Sequence, residues 1–191
     1  MPMIGALHPW LINPKTELTG ICITNDLLFV FAARPIQSSP VCNIDPAMSE
    51  DRLNLEREWT ATHVFAYFYN AFAYGSDGIL SSDERREIVA CIKEWMTDIS
   101  DEELFETLDE TLVWIGEDLK ESEDADKVFE TMGNIVGLLD DMLKPNNGDV
   151  DRRKYFLCDL VRLSVADGNF DDTEKAWIRE TAIRFGINFR I

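Results

Sequence analysis

The stretch Ser76-Asp77-Gly78-Ile79-Leu80-Ser81-Ser82-Asp83-Glu84 returns, slightly altered, as Ala166-Asp167-Gly168-Asn169-Phe170-Asp171-Asp172-Thr173-Glu174. At an offset of 90 the Asp-Gly pair, an apolar residue (Leu80, Phe170) and a glutamate (Glu84, Glu174) coincide. The flanks coincide as well: Phe65 with Tyr155, Tyr67 with Leu157, Ile88 with Ile178, and Trp95 with Phe185. The chain therefore contains a helix–loop–helix unit twice. In each unit the glycine supplies a left-handed residue that ends one helix without a Cβ clash. Ser81 and Asp171 stand three residues before Glu84 and Glu174, the spacing of a capping box that starts the next helix. The glutamates then lie at the positive end of that helix.

The same turns gather carboxylates: Asp77 with Glu84, and Asp167 with Asp171, Asp172 and Glu174. Hard divalent cations take oxygen ligands, so a Ca2+, Mg2+ or Mn2+ site formed by these six residues is one reading. The spacing equals the second half of an EF-hand loop. Its first and third positions are missing, because Ala73 and Gly75, or Leu163 and Val165, stand there. Capping alone is the other reading, and the two are compatible.

The rest of the chain reads as helices around these units. Residues 50–74 form a first helix with Val64, Phe65, Phe68, Ala71 and Phe72 inward. A second covers residues 82–96, with Ile88, Cys91, Ile92 and Trp95 buried. Ser100 starts a third that carries Leu104, Leu108, Leu112, Ile115 and Leu119. A fourth, residues 123–143, carries Val128, Met132, Ile135, Leu139 and Met142. After the break at Lys144-Pro145-Asn146-Asn147-Gly148 come a fifth, residues 150–165, and a sixth that Gly186 stops. The fifth buries Phe156, Leu157, Leu160, Val161 and Ser164; the sixth buries Ile178, Thr181 or Ala182, and Phe185. An all-α bundle with two pseudo-symmetric helix–loop–helix repeats is expected over residues 50–191.

Residues 1–49 differ in kind. They hold six of the seven prolines. Thr19 to Thr24 and Leu27 to Ala32 are rich in β-formers and joined by Asn25-Asp26, which fits a hairpin, with a short buried helix capped by Asn25 as the alternative; residues 34–49 read as a linker. The N-terminus has no basic region before Lys15, and Pro2, Pro9 and Pro14 interrupt its apolar residues, so a cytoplasmic location and no membrane insertion are expected. His8 and His63 have no Cys or His neighbours, which disfavours zinc, and His63 reads as structural.

Net charge excludes some partners. It is −18, so nucleic acid and anionic membrane surfaces repel the chain. Between Asp98 and Asp151 there are 18 acids against Lys120, Lys127 and Lys144. This is either a solvated face or a docking face for a protein with a basic surface. No nucleophile–histidine pair or phosphate-binding loop is present, so enzymatic activity is not expected.

The two Asp-Gly…Glu units on paired helices, and above all the run from Leu163 through Glu174 to Phe185-Gly186-Ile187, resemble the TerB-like family. That family comprises the tellurite-resistance TerB proteins and the related domain of DnaJ-like membrane co-chaperones. The similarity spans about residues 52–191. It implies a compact helical fold, carboxylate clusters associated with divalent cations, and roles in stress response and multi-protein assembly. The matching positions are Asp77, Glu84, Asp167 and Glu174, supported by Asp171 and Asp172. The first unit departs from the second in having Ser81-Ser82 for Asp171-Asp172, and no His-Pro-Asp tripeptide occurs. The expected function is a non-enzymatic interaction module that binds a divalent cation at its turns. The alternative is an acidic inhibitor, of the immunity or antitoxin kind or a nucleic-acid mimic, that covers a basic site.

Overall fold

The computed structural model describes residues 20–24, 27–31, 53, 57–121, 125–145 and 151–191. The chain divides into two compact units, Met1–Ser38 and Ser39–Ile191. In the first, β1 (Gly20–Thr24) and β2 (Leu27–Phe31) pair antiparallel, with Gly20 opposite Phe31 and Thr24 opposite Leu27. This is the expected hairpin over the described residues; Thr19 and Ala32, the outer ends expected for it, lie outside them. Asn25, Asp26 and the linker after the hairpin lie outside the described residues.

The described residues of the second unit form an all-α bundle with six helices among them: α1 (Ala61–Asp77), α2 (Ser82–Trp95), α3 (Asp101–Glu121), α4 (Asp126–Leu143), α5 (Arg153–Ser164) and α6 (Asp172–Arg184). Its centre is α1. From residue 64 to residue 73 every side chain is buried. A helix that is apolar all round must lie inside others, and α1 packs against each of α2 to α6. Phe65, Tyr69 and Phe156 form an aromatic centre, with Tyr69 and Phe156 stacked at 5.4 Å and Phe65 stacked on Trp95 at 5.1 Å. Each fully buried aromatic contributes roughly 2–3 kcal/mol through the area it removes from water.

The start of α1 corrects the expected boundary. Residues 57–60 are not helical, and the helix begins at Ala61 rather than near Glu50. The cause is a capping box: His63 N–H donates to Thr60 Oγ1 at 3.3 Å, and Thr60 N–H donates to His63 Nδ1 at 3.3 Å. His63 is thus structural, and its ring also stacks on Trp114 at 4.9 Å. At its other end α1 runs three residues past Tyr74. α4 begins at Asp126 and α5 at Arg153, each later than expected.

The core differs from expectation mainly on α3. Leu104, Leu108 and Ile115 are buried, but Leu112 and Leu119 are only half-buried. Thr111, Trp114 and Asp118 are buried instead. Polar pairing turned the helix: Asn70 Nδ2 of α1 donates to Leu108 O at 3.2 Å and to Thr111 Oγ1 at 3.0 Å. Met142 of α4 is likewise half-buried, while Leu138 and Leu143 are interior. Among the described residues no helix is long and apolar enough to cross a membrane.

Candidate functional site

The two turns have one local design. At the end of α1, Gly78 adopts φ 77° and its N–H donates to Tyr74 O at 2.8 Å. After α5, Gly168 adopts φ 83° and its N–H donates to Val165 O at 3.1 Å. The first helix stays α-helical up to its glycine, whereas the last turn of the second tightens to a shorter reach. Both chains then swing back and start a helix at equivalent residues, Ser82 and Asp172.

Both starts are capping boxes. Ser81 N–H donates to Glu84 Oε2 at 2.8 Å, and Glu84 N–H donates to Ser81 Oγ at 3.1 Å. Asp171 N–H donates to Glu174 Oε2 at 2.9 Å, and Glu174 N–H donates to Asp171 Oδ1 at 2.8 Å. The glutamates are buried, 5% exposed at Glu84 and 4% at Glu174. Burial in the bundle pushes the Glu174 carboxyl up to about 7. The N–H of Asp171 works against that rise, and the charges of Asp171, Asp167 and Glu84 add to it. The influence of Glu84 on Glu174 places the two turns within electrostatic reach of each other.

Of the six carboxylates named from the sequence, Asp171 and Glu174 meet in one capping box, and Asp167 and Glu84 act on Glu174 through their charge. Asp167 is exposed and folds its Oδ1 onto the N–H of Asn169 at 2.8 Å. Asp172 points into solvent, fully exposed, and pairs with Lys175 at 3.1 Å. The side chain of Asp77 lies outside the described residues. Among the described residues no group of three or more His, Cys, Asp or Glu is arranged to hold a metal ion.

Close packing locks α6 onto α1 near the turns. A Cβ on Gly75 would stand 2.3 Å from Trp177 Cη2, so the indole of α6 lies directly on the backbone of α1. Trp177 also meets Phe72 at 5.9 Å and Phe129 of α4 at 5.5 Å.

Two buried carboxylates escaped the sequence reading. Asp118, 0% exposed, accepts from Arg57 Nη2 at 2.7 Å, from Arg57 Nη1 at 3.0 Å and from Tyr67 Oη at 2.6 Å. Burial alone would lower the Arg57 guanidinium, yet the Asp118 carboxylate holds it above its usual range. Burial, together with the bond to Asp118, raises the Tyr67 phenol far above its usual value. Asp159, 1% exposed, accepts from Tyr69 Oη at 2.9 Å and Trp95 Nε1 at 2.7 Å. Arg162 completes this cluster at 3.3 Å and reaches Glu87 at 2.7 Å. The available signal was an acid inside an apolar stripe: Asp118 follows Leu104, Leu108, Thr111 and Ile115 on one helical face. Tyr69 and Asp159 are themselves 90 residues apart, so equivalent positions of the two repeats meet at the centre of the bundle.

No family model matches the sequence, and no curated protein or solved structure shows significant similarity to it.

Proposed function

We propose that the chain is a non-enzymatic, acidic protein-interaction module of TerB-like type, acting in stress response. The observation that carries this reading is where the acid lies. On α3, Glu102, Glu103, Glu106, Asp109, Glu110 and Glu117 are all exposed. The paired turns and the two buried aspartates are tied up in holding the bundle together, which leaves this acidic face for recognition. Such a face raises the encounter rate with a basic partner and disfavours anionic ones. The test is capture with the full chain as bait at low and high salt. A single basic protein retained at low salt and released at high salt supports the reading. Retention that is indifferent to salt removes it.

Cation binding at the turns belongs to the same proposal. Its support is the Glu174 carboxyl, raised by burial with the charges of Asp171, Asp167 and Glu84 adding to the rise, a repulsion that a divalent cation would relieve. Titration with Ca2+ or Mn2+ followed by NMR is expected to move the amides of Gly78 and Gly168. Amides unmoved at millimolar metal remove the cation.

An inhibitor that covers a basic active site is the second reading, favoured by the same acidic face. It separates from the first if the captured protein is an enzyme whose turnover stops on binding.

A further inference from the structure

We infer that the outward side of α3 docks a basic amphipathic helix of a partner protein; the inference rests on the interaction reading above and specifies its partner. Phe105, Leu112 and Leu119 recur every seven residues along this helix. Phe105 is 45% exposed, and Leu112 and Leu119 are half-buried. The inward side of α3 is filled by Leu104, Leu108 and Ile115, and this apolar line beside it stays partly open to solvent. Val113 beside it is 61% exposed.

A seven-residue apolar repeat is the pattern a second helix packs against, with contacts about every 10.5 Å along the axis. Acid borders the line on its solvent side, at Glu102, Glu106, Asp109 and Glu117. Cations from α2 reach two acids of this helix, Arg85 to Asp109 and Lys93 to Asp101. Glu102 and Glu106 have no cationic partner among the described residues. An apolar line bordered by carboxylates along its solvent side fits a helix with apolar residues a heptad apart and Lys or Arg beside them.

Charge decides among occupants. A second copy would oppose its own carboxylates to these. Residues 1–49 hold two bases, Lys15 and Arg34, against Glu17, Asp26 and Asp45, so that segment lacks the required charge. A basic partner remains.

The test uses the full chain and two synthetic three-heptad peptides of equal positive charge. One has Leu at its a and d positions and Lys elsewhere; the other has Ser in place of Leu. At physiological ionic strength the Leu peptide is expected to bind about tenfold or more tightly. Its NMR perturbations should centre on residues 102–120. Phe105→Ser should remove most of that difference and Ile183→Ser, at an exposed site on α6, none, with circular dichroism confirming both folds. Equal affinities overturn the inference, because attraction is then charge alone. Perturbations centred off α3 overturn it and leave the interaction reading standing; no saturable binding of either peptide overturns both. Self-association that Phe105→Ser abolishes also overturns it and makes a second copy the occupant.

Discussion

Glu174 is an acid whose proton is held by its surroundings. Unfolded, it releases that proton near the ordinary value of 4.5; folded, near 7. Between those values the folded state binds more protons than the unfolded one, so stability falls as pH rises through the window. Glu174→Gln keeps an acceptor for the Asp171 N–H and discards the charge. The expected outcome is a denaturation midpoint nearly unchanged at pH 4.5 and raised at pH 8, by roughly 2 kcal/mol in stability. Urea melts at the two pH values check it. The glycines make a second comparison at this scale. Gly78 and Gly168 have positive φ and open space around them, so Ala at either costs about 1–2 kcal/mol from backbone alone. Gly75 has an ordinary φ and Trp177 against it. Gly75→Ala should cost about 1–3 kcal/mol through overpacking. The same change made on a Trp177→Leu background should cost less, and thermal melts of the four proteins measure the coupling.

At the scale of elements, the buried aspartates act as clamps. Asp118 joins the segment before α1 to α1 and α3, and Asp159 joins α1, α2 and α5. Removing one member of a buried ion pair leaves the other charge unpaired. Arg57→Met is therefore expected to destabilise by about 3–5 kcal/mol, read by chemical denaturation. Replacing Arg57 and Asp118 together by apolar residues should cost far less. These clamps also explain what the sequence could not reveal. Periodicity located the six helices of the described residues and the turn glycines, because apolar spacing and Asp-Gly are local signals. It missed Asp118 and Asp159 because an acid is assigned to the surface unless its partner is known. Those partners, Arg57 and Tyr69, are 61 and 90 residues away. The rotation of α3, which left Leu112 and Leu119 half-buried, has the same origin in distant polar pairing. Of the candidate site, Glu84 and Glu174 were legible through the capping-box spacing. The charge that Glu84 exerts on Glu174 was not, because it depends on how the two repeats pack.

At the scale of the whole molecule, charge and acid response follow from the same inventory. Arg153 bridges Asp151 and Asp140 and donates to Phe185 O at 3.1 Å, which ties the start of α5 to α4 and to the end of α6. The Arg153 guanidinium holds Asp151 below the usual carboxylate range. Burial works against the Asp140 charge, but Lys144 and Arg153 override it and hold this carboxyl low as well. Stability from these groups is present above the ordinary carboxylate range and is lost as pH falls through their folded values. Arg153→Met is expected to shift the acid-unfolding midpoint, followed by circular dichroism, to higher pH. With a net charge of −18 the bundle also repels itself. Added salt should raise its melting temperature, and most at neutral pH.

The central position of α1 sets a schedule for synthesis. This helix leaves the ribosome long before α6, the last of the five walls that enclose it. At the usual rates of translation the interval is roughly 5–20 s. Throughout it, a rod with Val64, Phe65, Phe68 and Phe72 has no completed shelter. For that time the nascent chain exposes apolar surface, and a truncated message ending before α5 is expected to yield a product that clumps rather than a smaller working protein.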